Sequence, residues 1–120
     1  MTKKLLIIDG SEQDFKVMHR YLSKLGFAEI SYAATGEEGV EKYKAMKPEI
    51  VVTDTNLSGI DGFEACKAIK KLGDKNVKVV VVTGQIDAID AGKARESGAD
   101  DYCVKTADCE PIVTVLKGMM

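Results

Sequence analysis

Residues 48–62 read PEIVVTDTNLSGIDG. Ile50, Val51 and Val52 make an apolar, β-branched run that ends on a carboxylate, Asp54, and then in a polar loop containing glycine. Such a run suits a strand buried on both faces, as the strands of a parallel sheet are. Asp54 then closes the strand at its C-terminal end, where open α/β sheets place their ligand crevices. Three other stretches share the design. Lys4 to Asp9 (KLLIID) and Val77 to Thr83 (VKVVVVT) are apolar runs with a polar end, and Asp101 to Val104 runs directly into Lys105. If these strands are parallel neighbours, two carboxylates, a hydroxyl and an ammonium meet at one edge of the sheet.

Helical patterns fill the intervals. Ser11 with Asp14 resembles a helix N-cap arrangement, with Asp where the capping box prefers Glu. Phe15, Met18, Leu22 and Leu25 follow at helical spacing, and Gly26 suits the C′ position. Phe27 to Ala33 is a weaker, alternating strand. Thr35 with Glu38, and Asp61 with Glu64, read as capping boxes for two further helices, the first stopping before Pro48. Ile86 to Ser97 reads as a marginal helix, because Gly92 interrupts it and alanines replace large core residues. Asp108 can cap a last helix, with Pro111 near its first turn. Five strands alternating with five helices predict a parallel sheet covered by helices on both faces, one domain over residues 1–120.

The bulk composition narrows the function. At 120 residues the chain can build a single core without staples. Its 17 basic and 19 acidic residues leave a net charge of −2, with no basic run, so direct nucleic-acid binding is not expected. Cys66, Cys103 and Cys109 show neither CxxC nor metal spacing, and their odd number argues against a disulfide framework. Reduced, mostly buried thiols are expected. No apolar stretch approaches the roughly 18 residues of a membrane span, and the apolar run that stops at Asp9 is too short for a signal peptide. The expected location is the cytoplasm, away from any membrane.

Each polar strand end has an ordinary reading and a chemical one. Asp54 and Asp9 can be turn residues, since Asx-turns are common there. Thr83 can simply finish a β-branched strand, and Lys105 can be a solvated lysine. Chemically, Asp54 can be a nucleophile that accepts a phosphoryl group as an aspartyl phosphate. Mg²⁺ would offset the charge, since it favours one or two carboxylates with waters and phosphate oxygens. Asp9 could supply the second carboxylate and Asn56 a backbone carbonyl. Thr83 could hydrogen-bond an oxygen of a group on Asp54, and Lys105 could act as a point charge for phosphate. Tyr102 is expected to be half-buried with its hydroxyl outward. His19 has no assigned chemistry. The joint order of Asp9, Asp54, Thr83 and Lys105 is far less expected by accident than any one of them.

LLIIDGSE, VVTDTNLSGIDGFE, VVVVTG and SGADDYCVK together resemble the successive motifs of two-component response regulator receiver domains, in their single-domain chemotaxis form. The resemblance covers essentially the whole chain. It implies a flavodoxin-like (βα)5 three-layer sandwich with strand order 2-1-3-4-5. It also implies a phosphorelay role in which Asp54 is the phosphoacceptor, charged from a sensor histidine kinase or phosphotransfer protein. By the same resemblance, Asp9, Asp54 and the Asn56 carbonyl hold Mg²⁺, and Thr83 and Lys105 engage the phosphoryl oxygens. Tyr102 matches the aromatic switch position, and the face of the last two helices and last strand meets a downstream protein effector. Such a domain is a signalling module, not an enzyme on free substrates, with at most weak self-dephosphorylation.

Three departures bear on that reading. Gly10 stands where the family has a second acidic residue. Even outer-shell losses weaken metal binding roughly 10–100-fold, about 1.4–2.8 kcal/mol, so Mg²⁺ should bind more weakly than usual. Glu12 is near enough in sequence to compensate through water. Thr106 stands where the family has proline, often after a cis bond. A non-proline cis bond costs about 3–4 kcal/mol, so either the fold retains that strain or the loop is trans and Lys105 is held differently. Gly84 and Ser58 replace an alanine and a proline, which loosens the surrounding loops and favours faster dephosphorylation.

Two other functions compete. A degenerate receiver would act by protein contact without phosphate, which Gly10 and Thr106 favour. An aspartyl phosphatase of the haloacid dehalogenase type wants an acid two residues after its nucleophile, where this chain has Asn56. If residues 1–120 are the whole protein, the output passes through another polypeptide; otherwise an output domain lies elsewhere.

Overall fold

Strands and helices alternate as the hydrophobic pattern requires. The computed structural model describes residues 3–73, 76–85 and 87–120. In chain order they form β1 (Lys4–Ile8), α1 (Glu12–Leu22), a 3₁₀ turn (Ser23–Leu25), β2 (Glu29–Ala33), α2 (Gly36–Met46) and β3 (Ile50–Asp54). There follow α3 (Gly62–Leu72), β4 (Lys78–Thr83), α4 (Ala88–Glu96), β5 (Asp101–Val104) and α5 (Glu110–Met119). All strand pairs are parallel and the order is β2-β1-β3-β4-β5, the flavodoxin-like arrangement.

Strand residues point alternately to the two faces, and the core divides accordingly. Leu5, Ile7, Ile50, Val52, Val80 and Val82 pack with Met18 and Leu22 of α1 and with Ile112 and Leu116 of α5. Leu6, Ile8, Val51, Val79 and Val81 pack with Tyr43 of α2, Cys66 and Ile69 of α3, and Ala94 of α4. Burying each large aliphatic side chain contributes about 1.5–3 kcal/mol, so the central strands are the most strongly held. Register pairs Ile8 with Thr53 and Asp54 with Val82, which brings the strand ends to one edge.

Local signals mostly act as the sequence indicates. Asp61 and Glu64 form a complete capping box, whereas Thr35 makes only the forward bond, accepting from the Glu38 N–H at 3.1 Å. Gly26 has φ 90° and ends the first helical segment. β2 begins at Glu29, two residues later than the pattern suggests, as an edge strand in which only Ala33 is fully buried. Asp87 caps α4, accepting from the Asp90 N–H at 2.7 Å; Ile86, the expected start of that helix, lies outside the described residues. The cap position of α5 is Cys109, at φ 59°, and Asp108 reaches past it to accept from the Glu110 N–H at 3.0 Å. The three cysteines are free and buried. Among the described residues, no helix is long and apolar enough to cross a membrane.

Candidate functional site

The polar site lies at the C-terminal edge of β1, β3, β4 and β5. Asp9 follows β1 directly, and its N–H continues the ladder to the Ala33 carbonyl at 3.0 Å. Asp54 is the last residue of β3. Its position is pinned from behind, because Gly62 packs so closely that a Cβ there would fall on the Asp54 carbonyl. Lys105 leaves β5 with its N–H bonded to the Thr83 carbonyl at 2.7 Å, which holds the residue at the edge its side chain crosses.

The Lys105 ammonium is the centre of the arrangement. It donates to Asp14 Oδ2 at 2.8 Å, Asp9 Oδ2 at 2.9 Å and Asp54 Oδ2 at 3.0 Å. An ammonium has three N–H donors, and all three are committed. The Lys105 side chain is 17% exposed and that of Asp9 0%. Burial pushes the Asp9 carboxyl up from its usual range, against hydrogen bonds from Lys105 and from the Ser11 N–H. Burial also works to lower the Lys105 ammonium, but the bonds to Asp14, Asp9 and Asp54 outweigh it and the net shift is upward. The ordinary reading of Lys105 as a solvated lysine is thereby corrected.

Asp9 is held on two further sides. Its Oδ1 accepts from the Ser11 N–H at 2.8 Å, and its carbonyl accepts from the Tyr32 hydroxyl at 2.7 Å. Tyr32 stacks on Phe15, with ring centroids 4.3 Å apart. Asp54 Oδ1 accepts from the Asn56 N–H at 3.3 Å, which ties the loop to the carboxylate. A Cβ built on Gly10 would stand 4.0 Å from the Asn56 carbonyl oxygen, so these groups adjoin. Two carboxylates and a backbone carbonyl form a hard-oxygen donor set of the kind Mg²⁺ takes, with waters completing the shell. Among the described residues, no three His, Cys, Asp or Glu side chains form a ready cation cage. The three aspartates converge on Lys105 instead.

Thr83 and Tyr102 stand apart from this cluster. The Thr83 hydroxyl donates to the Gln85 carbonyl at 3.0 Å and accepts from its N–H at 3.3 Å, so it turns along its own loop and not toward Asp54. Tyr102 is half-buried against the α2–α3–α4 core face. Its hydroxyl is buried, without a hydrogen-bond partner among the described residues, where an outward hydroxyl was expected.

The departures resolve individually. No described peptide is cis, so the Lys105–Thr106 bond is trans, and Lys105 still reaches the carboxylates. Glu12 faces Lys16 at 3.7 Å, with its side chain 72% exposed. A cleft of about 320 Å³ opens beside Lys105, lined by Asp14, Met18, Gly84, Thr106 and Ile112. A Cβ on Gly84 would meet nothing within 4 Å, so that glycine leaves open space beside the site.

Asp14 is the site residue that sequence reasoning missed. It reads as a helix-cap partner, and its N–H does bond Ser11 Oγ at 3.1 Å. The reciprocal half of a capping box needs the Ser11 N–H, which Asp9 already takes. The Asp14 carboxylate is thus free to reach Lys105. The signal available was Asp in a place where the capping box prefers Glu.

Comparison with known proteins agrees with this fold. A family model described as the response regulator receiver domain matches residues 5–117. The chemotaxis protein CheY of Thermotoga maritima is 32% identical over 116 residues, covering 97% of this chain and 96% of CheY. The transcriptional regulatory protein AfsQ1 of Streptomyces coelicolor is 35% identical over 101 residues, covering 84% of this chain but 44% of AfsQ1. The chain thus spans less than half the length of that regulator, and nearly all of CheY. Among solved structures, a LuxR-family two-component response regulator from Aurantimonas superposes with a TM-score of 0.90 at 27% identity, covering 99% of this chain and 85% of that one.

Proposed function

The chain belongs to the response regulator receiver family, and from that premise we propose that Asp54 is its phosphoacceptor. The observation that carries this is the Lys105 ammonium 3.0 Å from Asp54 and 2.9 Å from Asp9 at the carboxyl edge of a parallel sheet. A carboxylate oxygen of Asp54 attacks the phosphorus of a phosphohistidine on a sensor kinase or phosphotransfer protein. The P–O bond forms as the P–N bond breaks, and the departing imidazole nitrogen takes a proton from solvent. Lys105 holds positive charge where the phosphoryl oxygens arrive. Thr83 supplies a hydroxyl to one of them once it leaves Gln85, and Tyr102 is the aromatic group that responds.

Receiver domains use Mg²⁺, which when bound offsets the charge of the transferring phosphoryl group. Asp9, Asp54 and the Asn56 carbonyl are the oxygens that would hold it here. Gly10 offers no side-chain oxygen beside Asn56, so binding weaker than in relatives with an acid there is expected. The protein acts as a switch in a cytoplasmic phosphorelay, with a downstream protein reading the α4–β5–α5 face, and not as an enzyme on free substrates or a direct nucleic-acid binder.

Intact mass after treatment with acetyl phosphate tests the proposal. One phosphoryl group is expected in Mg²⁺, none without it, and none in Asp54→Asn. No labelling of either wild type or Gly10→Asp at saturating Mg²⁺ would overturn it.

A further inference from the structure

Asp14 carries a role that neither the helix cap nor the phosphoacceptor reading assigns. It sits in the first turn of α1, its side chain 46% exposed, yet it makes the shortest of the three contacts to the Lys105 ammonium, at 2.8 Å. Its acceptor is directed there because the Ser11 N–H, its natural partner in a capping box, is bonded to Asp9. Three carboxylates around one ammonium leave two excess negative charges, enough to balance one divalent cation. Without Asp14 the excess falls to one, and the ammonium would rest wholly on Asp9 and Asp54, the same carboxylates a metal needs.

We propose that Asp14 is a positioning residue for Lys105: it draws the ammonium toward α1 and supplies, from the helix, the negative charge that Gly10 does not supply from the loop. The inference rests on the receiver reading of the site, but it concerns cation binding and can fail separately. Gly10 makes the complementary experiment available. A Cβ there meets only the Ala34 carbonyl oxygen at 3.9 Å and the Asn56 carbonyl oxygen at 4.0 Å, and the backbone is not left-handed. A Cβ is thus accommodated at Gly10, and Gly10→Asp adds a carboxyl group next to the site.

Mg²⁺ binding to the unphosphorylated protein, followed by isothermal titration calorimetry, reads the effect without any phosphotransfer. Asp14→Ala and the isosteric Asp14→Asn should each bind Mg²⁺ about tenfold more weakly than wild type, the scale of a lost outer partner. Gly10→Asp combined with Asp14→Ala should recover that loss. Mg²⁺ affinity unchanged in both Asp14 variants would overturn the proposal. So would a loss that Gly10→Asp leaves uncorrected, because the defect would then belong to a disturbed α1 and not to missing charge. Should acetyl phosphate label nothing while the Mg²⁺ series behaves as described, the phosphoacceptor reading fails and the role of Asp14 stands. Normal labelling with a flat Mg²⁺ series means the opposite: Asp54 accepts phosphate and Asp14 does not position its lysine.

Discussion

Lys105 shows how much one side chain holds in this site. Asp9 is fully buried and tolerates that burial because an ammonium and an N–H face it. Removing one partner of a buried ion pair costs more than the pair contributes, since the remaining charge is left unscreened. Lys105→Met is therefore expected to destabilise the resting protein by about 3 kcal/mol, the low end for such losses because the lysine keeps 17% exposure. The pH dependence follows from the two shifts. Lys105, raised above its usual 10.5, contributes stability that is complete below that value and is lost as pH climbs through its folded pKa. Asp9, raised above 3.8, contributes stability below that value and loses it as pH rises through its own folded pKa. The deficit of Lys105→Met should therefore narrow in acid, where a protonated Asp9 needs no cation. Urea unfolding at neutral and acidic pH measures this; a deficit that grows in acid would contradict it. Asp9, Asp54 and Lys105 were legible in the chain because each ends an apolar run. The Asp14 contact was not, because a helix cap already accounted for that residue. The direction of the Thr83 hydroxyl was not either, because a rotamer leaves no trace in residue order.

Among the α-helices, α4 buries the fewest residues. Its only buried residue is Ala94, and Ile89 is 73% exposed. Gly92 in its interior adds backbone entropy that folding must overcome, and a Cβ there would meet nothing within 4 Å. Gly92→Ala is thus expected to stabilise the protein by about 0.5–1 kcal/mol. Amide hydrogen exchange should show α4 as the fastest-opening helix, slowed selectively by this substitution. Unchanged α4 exchange would mean that something other than glycine entropy limits the helix. The weakness was visible beforehand, in small alanines and a mid-helix glycine. Strand order was not. Apolar runs with polar ends state that the strands are parallel and buried, but they do not order them. The 2-1-3-4-5 arrangement entered through family resemblance, and the observed pairing matches it. Element ends shifted where a cap residue competed with its neighbour, as at Cys109 beside Asp108.

Across the whole molecule, the proposed phosphoacceptor and the proposed output face are joined by β4 and β5. Thr83 pairs with Val104, and Tyr102 with Val81, so both proposed switch residues lie on one ladder running from the site. Each is in a distinct resting state: Thr83 is bonded to Gln85, and the Tyr102 hydroxyl is buried without a described partner. An unpaired buried hydroxyl costs about 1–3 kcal/mol. That cost raises the resting state alone if the hydroxyl finds water or a partner in the phosphorylated state, and so narrows the gap a phosphoryl group must close. Tyr102→Phe removes the cost. It is expected to stabilise the unphosphorylated protein by about 1 kcal/mol, with a smaller gain after phosphorylation. Urea unfolding of both forms reads the difference. An equal gain in the two would mean that the hydroxyl keeps its surroundings on phosphorylation, and that Tyr102 has no part in the proposed switch.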